Sequence, residues 1–229
     1  MDREQFLQRV RTAAHEGRKY PVEIDPAATA DQAYVGGGSD PVETFLREWR
    51  GVGGQGDRVA GAEEALAYLE RVIEANSIRK VLLWKHPLLE RLRLAEWLAS
   101  RGCECMGWDE LEQVSADERR AISFGADLGI TSVDWAIAET GSLVMLSRAG
   151  GRGRSVSLLP PVHVAFIEPA QLIPDLFDLT PLLERLPEGL PSNLTLITGP
   201  SKTGDIQLKL TTGVHGPGEV HAVVLGTDP

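Results

Sequence analysis

At 229 residues the chain can bury a substantial core, as one large α/β domain alone or with a small appendage. Its apolar fraction of 42% and charged fraction of 24% are those of an ordinary globular protein. A formal net charge of −10 argues against a nonspecific nucleic-acid binder and against an anionic membrane surface as partner, since both need clustered positive charge, and it leaves small molecules or proteins.

The first twenty residues carry charges throughout and lack the apolar run of a secretory signal. No stretch reaches the roughly 18 apolar residues that a membrane span requires. The two cysteines, Cys103 and Cys105, share one face of an expected strand and are expected to be reduced, which reads as a cytoplasmic protein. Two thiols are too few for a zinc or iron–sulfur site, so no metal is expected in this chain.

Phe6, Leu7 and Val10 recur at helical spacing and predict an amphipathic helix over 2–16. Residues 20–40, with Pro21, Pro26 and Gly36-Gly37-Gly38, have no sustained period and read as an extended connection. Ser39 or Asp40, followed by Pro41, opens a helix with Phe45, Leu46 and Trp49 on its apolar face. A boundary near residue 56 divides the chain into a helical extension packed on the domain (1–56) and an α/β domain (57–229). Strands at 59–60, 80–84 and 103–108 then alternate with helices at 62–75, 87–100 and 109–122. That alternation predicts an open, mostly parallel sheet with helices on both faces, built from right-handed crossovers.

Beyond Gly125 the texture changes. Thr131 has Asp134 three residues on, the spacing of a capping box, which predicts a short helix through Trp135, Ile137 and Ala138 stopping at Gly141. Strands follow at 143–146, 162–167, 194–197 and 220–225, with a proline-divided helical stretch at 172–186 between them.

The richest chemistry lies between Thr198 and Pro217. A strand ending at Gly199-Pro200 delivers a turn at its carboxyl edge, the edge at which open α/β sheets bind ligands. Ser201, Lys202 and Thr203 offer a hydroxyl, a cation and a second hydroxyl that suit a phosphate or carboxylate, and Asp205 can pair with Lys202. Gly213, Gly216 and Pro217 surround His215, whose titration range suits proton transfer. Two further segments are candidates for the same crevice. Glu139-Thr140-Gly141-Ser142 presents a carboxylate, hydroxyls and a tight turn, and Arg152 and Arg154 in a glycine-rich loop can clamp an anion in bidentate fashion. The Walker and dinucleotide glycine spacings, a nucleophile elbow and a His-x-x-x-His pair do not occur.

GITSVDWAIAETGSLVM at 129–145, SLLPPVHVAFIE at 157–168 and TGPSKTGDIQLKLTTGVHGPGEVHAVVL at 198–225 together resemble the LUD-domain family. The family's Glu-Thr-Gly pattern falls on Glu139, Thr140 and Gly141. Its Gly-Pro-Ser-x-Thr-x-Asp pattern falls on Gly199, Pro200, Ser201, Thr203 and Asp205, and its Gly-x-His-Gly-Pro on Gly213, His215, Gly216 and Pro217. The resemblance implies a fold similar to that of the sugar-phosphate isomerases and coenzyme A transferases. It also implies a subunit role in oxidising L-lactate to pyruvate alongside iron–sulfur partner proteins, with the clusters held by the partners and a small anion held here. The alternative is a freestanding enzyme acting on a phosphorylated or coenzyme A-linked small molecule, with Glu139 or His215 as the reacting group.

Overall fold

The computed structural model describes residues 2–17, 34–148, 150–187, 189–203 and 211–226. They belong to two compact units, 1–34 and 35–229. The first contains the expected helix, Arg3–Gly17, in which no residue is buried and Phe6 and Val10 are exposed. Asp2 starts it by accepting from the Gln5 N–H.

The second unit begins before the helix Pro41–Gly51, whose Phe45, Leu46 and Trp49 are fully buried in its core. Asp40 caps that helix through Val42 N and Glu43 N, with Pro41 in the first turn where no N–H is missed. The strands β1 (Gln55–Val59), β2 (Lys80–Leu83), β3 (Glu104–Met106), β4 (Leu128–Thr131), β7 (Val162–Ile167) and β12 (Glu219–Leu225) make one six-stranded sheet in the order β1-β12-β7-β4-β2-β3. Every pairing is parallel. The central strands β4 and β7 are buried at every position, as strands covered on both faces must be. The helix Ala62–Asn76 covers one face through Tyr68, Leu69 and Val72. The short helix Ser155–Leu158 covers the other so closely that a Cβ on Gly129 would overlap the Val156 carbonyl oxygen.

A second sheet, in the order β8-β5-β6-β9, is built from β5 (Trp135–Ile137), β6 (Ser142–Leu146), β8 (Leu172–Ile173) and β9 (Leu194–Ile197). β6 is antiparallel to both β5 and β9. Its strands come from two excursions of the chain, one between β4 and β7 and one between β7 and β12.

Several expected elements differ. The helix expected through Trp135, Ile137 and Ala138 is strand β5, because Ala136, Ile137 and Ala138 are buried and Asp134 reaches forward to Leu146 N instead of capping. The helix expected at 87–100 is two, Pro87–Arg91 and Leu94–Ser100, broken where Arg93 takes φ +52. The one expected at 109–122 is also two, Trp108–Glu112 and Ala116–Phe124, the second started by a Ser115–Glu118 capping box. Within 172–186 the helix is reduced to Leu179–Glu184, preceded by β8 and a 3₁₀ turn at Leu176–Asp178. The expected connection over 20–40 lies outside the described residues up to position 33.

Two histidines are sealed into opposite faces of the parallel sheet, since His163 on β7 sits beside Val220 and His221 on β12 beside Val164. His163 Nε2 meets Thr131 Oγ1 at 2.8 Å, and its Nδ1 is buried without a partner. His221 bonds Tyr68 OH and Glu219, each at 2.8 Å. Burial, and then the neighbouring His221, pushes His163 down to about 3. Burial outweighs the pull of Glu219 and lowers His221 as well.

Two outcomes follow from this packing. Gly129→Ala costs about 3 kcal/mol or prevents folding, measured by urea denaturation, because the colliding oxygen belongs to backbone that cannot rotate away. For His163 the folded pKa lies below the unfolded value near 6.5, so the unfolded chain takes up the proton first. Its contribution is therefore complete above pH 6.5 and declines as pH falls toward 3. The urea midpoint of the parent drops over that window, and His163→Leu drops less steeply.

Candidate functional site

The connection after β2 runs outward to β3, whereas the connection after β4 leads back toward β7, so the loops leaving β2 and β4 diverge. A crevice opens beyond the carboxyl ends of parallel strands at such a point. Here the turn at 150–153 lies across it. Lys85 N donates to Gly151 O at 3.2 Å and the Trp84 indole N–H donates to Gly153 O at 2.9 Å. Gly151, at φ +116, sits against Lys85 and Trp108, where a side chain has no room.

This turn sets Arg148 and Arg152 opposite each other in an isolated antiparallel bridge. Like charges directly across a ladder repel, so the pair needs an anion between them. Asp134, between β4 and β5 with its side chain 7% exposed, supplies one negative charge. Its Oδ1 accepts from Arg152 at 2.9 Å and lies 3.7 Å from Arg148, while Oδ2 accepts from Leu146 N at 2.8 Å. Arg152 also lies over the Trp84 ring, 5.9 Å from its centre. Among the described residues, Arg148 Nε is buried without a hydrogen-bond partner and the exposed Arg154 side chain has none either. The three guanidiniums share the walls of a cavity of about 510 Å³ with Trp108, Ser192 and Asn193. Three cations against one carboxylate leave the crevice locally positive in an acidic chain.

His86 stands beside this cluster. Its Nδ1 accepts from Leu88 N at 3.2 Å, which leaves the ring proton on Nε2. Burial, and then the charges of Arg152 and Arg91, pushes it down to about 4, so the imidazole is neutral near pH 7. Lys85, in contrast, is bound to Asp109 at 2.9 Å, which raises its pKa.

The residues expected between Thr198 and Pro217 lie at the other end of the sheet. Because β9 is antiparallel to β6, it runs back toward the amino ends of the parallel strands, and its terminal turn meets Val52 and Gly53 just ahead of β1. The strand-end rule therefore favours the Arg148–Arg154 turn over Thr198–Thr203. At the amino edge the structure does bring several expected residues together. Thr140 Oγ1 donates to Ser142 Oγ at 2.8 Å, which meets Thr198 Oγ1 at 2.7 Å. Gly141, at φ +60, packs against the Glu48–Trp49 backbone, and Gly199 packs against Val52. Pro200 packs on Gly53, and the Lys202 ammonium donates to Val52 O.

Lys202 and Thr203 form β10, paired with β11 (Thr211–Thr212). Ser201 N donates to Pro217 O at 2.9 Å and Gly213 N to Ser201 O at 3.0 Å, and Gly216 lies against the Ser201 side chain, so the two bends meet. His215 is exposed on the second of them. Glu139 faces another way, accepting from Leu176 N at 3.2 Å beside the buried Asp175. Asp205 lies outside the described residues.

Arg148, Trp84, Trp108 and His86 join the carboxyl-edge crevice although no motif marks them. The signal available in the sequence was the strand-then-His86-Pro87 step at a parallel strand's end, together with three arginines within seven residues of a glycine-rich turn. Among the described residues, no group of three or more His, Cys, Asp or Glu side chains is placed to hold a metal ion. No described helix is long and apolar enough to cross a membrane. Cys103 and Cys105 are free thiols, and burial pushes Cys105 up to about 12.

Residues 42–225 match the family model described as the LUD domain. Lactate utilization protein C of Halalkalibacterium halodurans is 38% identical over 152 residues, covering 65% of this chain and 64% of that protein. The protein of the same name from Shouchella clausii is 33% identical over 151 residues, 65% of this chain and 63% of that one. The chain thus spans a little under two thirds of the length of these relatives. A solved DUF162 family protein from Deinococcus radiodurans shares the fold, with a TM-score of 0.56 and 22% identity over 81% of this chain and 96% of that one.

Asp134→Asn keeps the acceptor for Leu146 N but removes the charge facing Arg152. It lowers stability by about 3 kcal/mol in urea denaturation, since the remaining guanidinium is left without its buried partner.

Proposed function

Because this chain belongs to the LUD domain family, we propose that it works in lactate utilization as a subunit that binds a small anionic ligand in the arginine crevice. The names of the relatives support the process. One observation supports the binding role: Arg148, Arg152 and Arg154 line one cavity, and among the described residues Asp134 is the one carboxylate paired with them. Such a cluster at the carboxyl ends of parallel strands attracts an anion and fixes its orientation by paired guanidinium hydrogen bonds.

Oxidation of L-lactate to pyruvate releases two electrons and two protons. On this reading the electrons pass to iron–sulfur proteins that act with this chain in the cytoplasm, and the clusters reside in those partners. The two cysteines present do not suffice for such a centre, and the elevated pKa of Cys105 disfavours the thiolate that ligation needs.

A strain lacking the chain is expected to lose growth on L-lactate and to keep growth on pyruvate. The intact chain restores growth, and the Arg154→Glu chain, which reverses one charge of the crevice at an exposed side chain, does not. The affinity-tagged chain is expected to carry iron–sulfur proteins with it. Unchanged growth of the deletion strain on L-lactate overturns the proposal.

A further inference from the structure

A second cavity, of about 490 Å³, adjoins the arginine crevice and shares Ser147, Arg148 and Ser192 with it. Its remaining described wall is formed by Leu186, Pro187, Gly189 and Pro191. Each cavity falls within the ~300–1,000 Å³ range of sites that enclose a drug-sized molecule. A three-carbon acid fills a small part of either. The charge points the same way. Among the described residues, three guanidiniums against Asp134 leave an excess of about two positive charges. A monocarboxylate neutralises one of these, whereas a phosphate monoester carries about −1.5 to −2 near pH 7.

We propose that the two cavities flanking Arg148 form one elongated site for an organic phosphate. The phosphate sits among Arg148, Arg152 and Arg154, and the organic part lies along Leu186, Pro187 and Pro191. This rests on the reading of the crevice as an anion site and names the class of its occupant. Ser147 and Ser192 line both cavities and Asn193 the first, which supplies neutral donors for phosphate oxygens that the arginines leave free. Arg148 stands at the junction. Its buried and unpartnered Nε is the kind of donor that an oxygen on the ligand satisfies.

Calorimetric titration of the intact chain with L-lactate, inorganic phosphate, glycerol 3-phosphate and adenosine monophosphate tests this. The organic phosphates are expected to bind at least tenfold more tightly than L-lactate. Arg154→Ala, at an exposed side chain with no partner among the described residues, weakens all the phosphates about tenfold, the scale of one charge-assisted hydrogen bond. Leu186→Asp weakens the organic phosphates and leaves inorganic phosphate unchanged. If L-lactate binds as tightly as either organic phosphate and Arg154→Ala weakens it, the organic-phosphate assignment falls and the anion site stands. If none of the four binds, both fall.

Discussion

The carboxylate of Asp134 is the interaction on which the carboxyl edge of this protein depends. It lies between β4 and β5, immediately before β5, and one of its oxygens takes the Leu146 N–H at the end of β6. The other takes Arg152 and faces Arg148. A single carboxylate therefore ties the start of β5 to the end of β6 and sets the spacing of two like charges that would otherwise repel. Being a single negative charge, it also limits how far the arginines are neutralised from within. The local excess of positive charge that makes the crevice a receptor for anions follows from a structural tie that is one charge short.

The direction of the small sheet governs everything at the other edge. β6 climbs from the amino side of the parallel sheet to the carboxyl side, and β9 descends beside it. Hydroxyls and glycines near Thr140 and Thr198 are thereby delivered to the amino edge, where they serve close packing. Gly141 admits the end of the helix Pro41–Gly51, Gly199 admits Val52, and Lys202 satisfies a carbonyl left open beyond that helix. Glycine in these turns answers to the approach of one backbone to another.

The parallel architecture was legible in the sequence because buried strands of four to six apolar residues alternate with amphipathic helices, and 162–167 is found where the pattern puts it. The Asp40 cap was legible for the same local reason. What escaped was set by tertiary contact. Thr131 and Asp134 have the spacing of a cap, yet the partners of Asp134 lie beyond it in the chain, at Leu146, Arg148 and Arg152, and no local period records them. Likewise β9 has the composition of a strand in any sheet, and only its pairing with β6 reveals which way its terminal turn faces. The meeting of Ser201 with the bend at Gly213–Pro217 was anticipated, whereas the place of Arg148 and His86 at the divergence of two loops required the strand order.

The two excursions that build the four-stranded sheet carry a kinetic implication. Leu143 pairs with Ile197, while β7 lies between them in the chain and belongs to a different sheet. Closing so long a loop is entropically costly unless the intervening segment is already fixed. The parallel sheet demands a longer closure still, since Gln55 on β1 pairs with His221 on β12. Asn193, which immediately precedes β9, takes its place beside the arginines only when β9 is paired with β6, so the receptor needs both long closures to be made.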